Sequence, residues 1–63
     1  MTVLVLAMIY RRLLDLRLRG HRQAALDWFE RGECYCWCCA CGMDYDAVME
    51  RVEVEMGKRV YRY

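Results

Sequence analysis

Five cysteines, Cys34, Cys36, Cys38, Cys39 and Cys41, fall within the stretch CYCWCCAC and are closed by Gly42. Their chemistry is metal binding, disulfide exchange, nucleophilic catalysis, or none beyond packing. A structural zinc site needs four ligands converging on a tetrahedron, usually from two Cys-x2-Cys knuckles on separate turns. Here Cys36/Cys39 and Cys38/Cys41 form two overlapping knuckles in one stretch. On a helix Cys34, Cys38 and Cys41 share one face and Cys36 and Cys39 point elsewhere, so four thiolates do not meet on one ion. The lone histidine, His21, belongs to another element. Disulfides are disfavoured because five is an odd count, neighbours on one helix miss the required geometry, and no secretory signal supplies an oxidising compartment. A nucleophilic cysteine wants a base and electropositive surroundings, whereas acidic residues flank this segment. The expectation is a packed core built partly from free thiols, with no metal and no cofactor. A cysteine-cluster zinc module stands as the second alternative.

Other catalytic patterns are missing from the sequence. There is no glycine-rich phosphate loop and no Ser/His/Asp set, and His21 beside Gly20 reads as a surface residue at a helix start. Asp44 and Asp46 resemble an acid/base pair but are better explained by a helix N-terminus, where the dipole favours negative charge. No enzymatic function is expected.

The elements that carry these residues read as helices. Leu6, Ile9, Leu13 and Leu16 recur at spacings of three and four, with Arg11, Asp15 and Arg19 on another side, predicting a helix over 2–19. Val3, Ala7, Tyr10, Leu14 and Leu18 widen its apolar stripe beyond what one short neighbour covers. Gly20 interrupts, and a second helix over 21–31 turns Ala25, Trp28 and Phe29 inward and pairs Asp27 with Arg31. Gly32 is placed as its left-handed C-terminal cap. A third helix over 34–41 stops at Gly42. Asp44 then caps a fourth, over 44–56, whose apolar face is Tyr45, Val48, Met49, Val52 and Met56. Gly57 closes it, leaving the basic tail 57–63. The expected fold is all-α, a single domain of three to four helices, with Trp28, Trp37, Cys38, Cys41 and Val48 in the core.

Sixty-three residues bury only about 60% of the unfolded surface, so such a domain gains from a partner. An apolar fraction of 59% exceeds the ~45–50% of ordinary domains. A homodimer through the first helix, with Leu6, Ile9, Leu13 and Leu16 at its interface, follows as the expectation. The opening MTVLVLAMIY has about half the ~20 residues of a membrane span, and Arg11 and Arg12 follow the apolar run where a signal peptide would place them before it. A cytoplasmic protein with no membrane span is expected, although an apolar helix with a basic flank also fits a membrane surface. The net charge of +1 conceals +3 over residues 1–32, −5 over 33–56 and +3 over 57–63. Local fields, not the sum, should select partners.

The segments AALDWFERG and WCCACGMDYDAVMERV resemble a group of small phage and prophage proteins. Their usual pattern is Ala-Leu-x-Trp-Leu, then Trp-Cys-Glu-Leu-Ala-Gly, then Leu-Asp-Pro-Asp-Ala-Val. The matching positions are Ala25, Leu26, Trp28, Trp37, Cys38, Gly42, Asp44, Asp46, Ala47 and Val48. Cys39, Ala40 and Cys41 stand where that group has Glu, Leu and Ala, and Tyr45 replaces the first-turn proline. The resemblance implies a phage origin and a helix-turn-helix-like second half, but brings no established chemistry.

A helix, a glycine turn and a helix at this spacing would place the last helix in a DNA groove. Its reading face offers Asp44, Asp46, Glu50 and Glu53, with Arg51 the only cation, and the duplex carries one phosphate charge per ~1.7 Å. Nucleic acid is therefore disfavoured, and a helix-turn-helix regulator is the first alternative. The expected function is a protein interaction module that binds a host or phage protein, of host-takeover or anti-defence type. Asp44, Tyr45, Asp46, Glu50 and Glu53 are its expected recognition surface.

Overall fold

The computed structural model describes residues 2–63, among which there are four α-helices and no strand. They are α1 (Thr2–Asp15), α2 (Arg19–Glu30), α3 (Glu33–Cys41) and α4 (Tyr45–Met56). The all-α expectation holds. The described helices lack the length and apolarity needed to cross a membrane.

The first junction lies earlier than the sequence predicts. α1 ends at Asp15, not Arg19, and its last turn tightens through bonds from Arg17 N–H to the Leu14 carbonyl at 3.0 Å and from Leu18 N–H to that of Asp15 at 3.1 Å. Leu16 turns fully into the core, and Arg22 Nε donates to its carbonyl at 2.9 Å, satisfying a group the ended helix leaves open. Gly20, expected to break the chain, sits inside the first turn of α2. Hydrophobic demand at Leu16 sets this bend more than the glycine does.

The other boundaries follow local chemistry. Gly32, Gly42 and Gly57 adopt φ of 86°, 69° and 70°, and each ends or separates helices as a left-handed residue should. The Asp44 carboxylate accepts from Ala47 N–H at 3.2 Å, an N-cap bond that starts α4.

α1 and α3 each pack against the other three helices. Phe29, Leu16, Met49, Val5, Val52, Cys34 and Cys38 are fully buried where they meet, and Val60 joins them from the tail. Trp28 packs edge-on against Phe29 at 5.0 Å, with the Arg12 guanidinium 5.5 Å from its ring centroid. On the far side, Arg17 forks onto Glu55 at 2.7 and 2.9 Å, tying the end of α1 to α4. The radius of gyration, 10.8 Å, matches the roughly 11 Å expected of a well-packed chain this long.

Candidate functional site

The cysteine segment divides by helical face. Cys34 and Cys38, one turn apart, are fully buried with their sulfurs 3.8 Å apart. Cys41 is half-buried against the core, while Cys36 and Cys39 are exposed. Burial pushes the Cys34 thiol up to about 12 and raises Cys38 as well. Both are therefore held as protonated, apolar packing groups. Among the described residues no three His, Cys, Asp or Glu side chains are gathered as a metal cage.

Three of the core expectations need correction. Trp37 is 37% exposed, because α3 is apolar on every side and its buried edge is the Cys34/Cys38 line. Val48 and Cys41 only flank the core. Asp27 does not pair with Arg31: it accepts from Gln23 at 2.9 Å, and Arg31 reaches Glu33 at 3.2 Å.

The expected dimer residues are split. Ile9 and Leu16 are buried inside the chain, Leu13 is half-buried, and Leu6 alone of the four is exposed. The residues that had widened the stripe form the outer face instead. Val3 is 77%, Tyr10 63%, Leu6 49% and Leu14 38% exposed, and Ala7 lies between them in the open. Val3, Ala7, Tyr10 and Leu14 follow at spacings of four, three and four, one continuous line along α1. Charged residues flank that line without lying on it: Arg11, 80% exposed, leans to Asp15 at 3.6 Å, Arg12 leans to Trp28, and Arg17, Arg51 and Glu55 border Tyr10 and Leu14.

The acidic surface of α4 is largely occupied by the chain's own tail. After Gly57 reverses direction, Val60 N–H donates to Glu53 at 3.2 Å. Arg62 bridges Glu53 at 3.0 Å and Asp46 at 3.3 Å. Tyr63 N–H donates to the Tyr45 hydroxyl at 2.9 Å. The Arg62 guanidinium and the Val60 N–H hold the Glu53 carboxyl below the usual carboxylate range. Asp44 is committed to its cap, and Glu50 is exposed and makes no ion pair among the described residues. Of the five expected recognition residues, only Glu50 is thus both exposed and uncommitted. Sequence reading treated the tail as a separate basic patch; the signal for its docking was the +3 tail following directly on a −5 segment.

A cleft lies between Tyr10, Leu13, Leu14, Arg17, Arg51 and Glu55 and holds about 60 Å³. That is far below the roughly 300–1,000 Å³ of small-molecule sites. No protein-family model, curated protein or solved structure matches the chain.

Proposed function

We propose that the chain is a non-catalytic protein interaction module that pairs with a second copy through the outer face of α1. The uninterrupted apolar line Val3, Ala7, Tyr10 and Leu14 carries this reading. Contiguous exposed apolar surface on a small domain marks a protein contact. Its spacing reads the same in both directions. Two antiparallel copies related by an axis between Ala7 and Tyr10 would set Ala7 of one against Tyr10 of the other, and Val3 against Leu14. Each larger side chain then meets a smaller one, the alternation that lets helices interdigitate.

The paired module would hold a host or phage protein, a setting supported by the resemblance of Ala25–Trp28 and Trp37–Val48 to small phage proteins. Modulating that target, in host takeover or anti-defence, is the proposed activity. The α3–turn–α4 unit is helix-turn-helix-like in outline, but the outward positions of α4 include Asp46 and Glu50, and its single cation, Arg51, is engaged by Glu55 at 3.4 Å. That surface repels phosphates and favours protein over DNA.

Sedimentation velocity across a micromolar-to-millimolar series tests the pairing. Wild type should shift from monomer to dimer, and Tyr10→Glu should weaken association at least tenfold, about 1.4 kcal/mol. A wild-type monomer at every concentration would refute it.

A further inference from the structure

The segment lying on α4 shows what chemistry that surface accepts. Residues 60–63 form no helix or strand, yet two of their backbone N–H groups are taken by side chains, Val60 by Glu53 and Tyr63 by Tyr45. Val60 is buried, Tyr61 is 64% exposed, Arg62 turns back onto two carboxylates, and Tyr63, though 62% exposed, is held at its ring and its N–H. The ring of Tyr63 lies over Gly32, where a Cβ would come within 2.6 Å of it, and sits 5.5 Å from Tyr35. Tyr35 in turn packs edge-on against Tyr45 at 5.2 Å.

We propose that this surface, formed by the Tyr45, Asp46 and Glu53 face of α4 with Gly32 and Tyr35, binds an extended basic and aromatic segment of a partner protein, and that Val60–Tyr63 is its resident intramolecular ligand. The inference names the partner chemistry of the interaction module and rests on that reading. The matched features are an aliphatic residue, an arginine two positions later and an aromatic residue beside it.

The hold is firm enough to shield the surface and weak enough to yield. Asp46 is 74% and Arg62 35% exposed at the side chain, and ion pairs so wetted contribute little each. The tether supplies the rest, because a linked segment acts at an effective concentration of roughly millimolar. A partner segment displaces the tail by binding better than it does. Glu50, in line between Asp46 and Glu53 on the same helix face, offers such a segment a further carboxylate that the tail leaves unused.

The test uses full-length chain and a fluorescein-labelled peptide, Lys-Arg-Val-Tyr-Arg-Tyr, followed by fluorescence anisotropy at low salt. The doubly substituted chain Arg62→Ala, Tyr63→Ala should bind it at least tenfold more tightly than wild type. Glu53→Gln added to that chain should abolish the gain, and a peptide with Glu for its second Arg should not bind. No binding to the folded, opened chain up to millimolar peptide overturns the proposal, as does equal binding of the Glu peptide. If the opened chain is unfolded by circular dichroism, wild type decides: several millimolar peptide should shift the amide signals of Asp46, Glu53 and Tyr63, and unmoved signals overturn it. Repeating the titration with Tyr10→Glu separates this site from α1 pairing: peptide binding that survives the loss of association shows the two surfaces to be independent, and only a wild-type chain that binds peptide yet stays monomeric at every concentration refutes the pairing alone.

Discussion

Arg62 closes back on Glu53 at 3.0 Å, joining the basic tail to the acidic helix nine residues before it. The charge asymmetry of the sequence is thereby satisfied in part inside one chain. Glu53 is held below its ordinary range by Arg62 and the Val60 N–H, and Glu55 by Arg17. A carboxylate lowered in this way stabilises the fold above its unfolded value near 4.3 and loses that contribution as pH falls through the folded value. Acid should therefore release the tail first. Below about pH 4, NMR signals of Val60 and Tyr63 should move toward random-coil positions before those of Phe29 and Met49, and simultaneous movement of all four would contradict this order.

Alkaline pH acts on the opposite side. Cys34, raised by burial to about 12, keeps its proton in the folded chain while an unfolded thiol gives it up near 8.5. Stability is fully present below the unfolded value and falls as pH rises between the two. Replacing Cys34 by Ala should flatten that alkaline decline in urea titrations, whereas Cys36→Ala should leave it unchanged.

The five thiols should differ in reactivity. Cys36 and Cys39 are exposed, Cys34 and Cys38 wholly buried. A disulfide-exchange reagent at pH 8 should modify Cys36 and Cys39 promptly and Cys34 only through unfolding, since burial both shields the Cys34 thiol and keeps it protonated. Cys38→Ser should cost about 1–3 kcal/mol by burying a hydroxyl in an apolar site, and Cys39→Ser within about 0.5 kcal/mol. Equal costs at the two positions would contradict the facial division.

Glycine substitutions should diverge in sign. Gly32 has φ of 86° and its added Cβ would strike the Tyr63 ring, so Gly32→Ala should destabilise by about 1–2 kcal/mol, a fall of several degrees in Tm. Gly20 is helical with nothing within 4 Å of an added Cβ, and Gly20→Ala should stabilise by up to about 1 kcal/mol. Thermal denaturation of both variants checks the contrast.

The caps and the cysteine faces were the legible parts. Gly32, Gly42, Gly57 and Asp44 mark their junctions by chemistry confined to a residue or two, and helical geometry alone assigned Cys34 and Cys38 to one face. Trp37 was not legible, because a nine-residue helix apolar on all sides has no period to read. Neither was the true inner face of α1. Val5 and Ile9 face inward and Val3 and Tyr10 outward, but both lines are apolar, so only the position of α2, α3 and α4 decides between them. The tail was missed for a different reason: its partners lie on α4, and extended segments carry no helical signature.

The outer face of α1 is tested most directly by an isotope-filtered nuclear Overhauser experiment on a mixture of labelled and unlabelled chains. Contacts between the Ala7 methyl of one copy and the Tyr10 ring of another, together with Val3 to Leu14, are the expected result. Intermolecular contacts confined to other surfaces, or none from these residues at concentrations where sedimentation reports a dimer, would contradict pairing through this face.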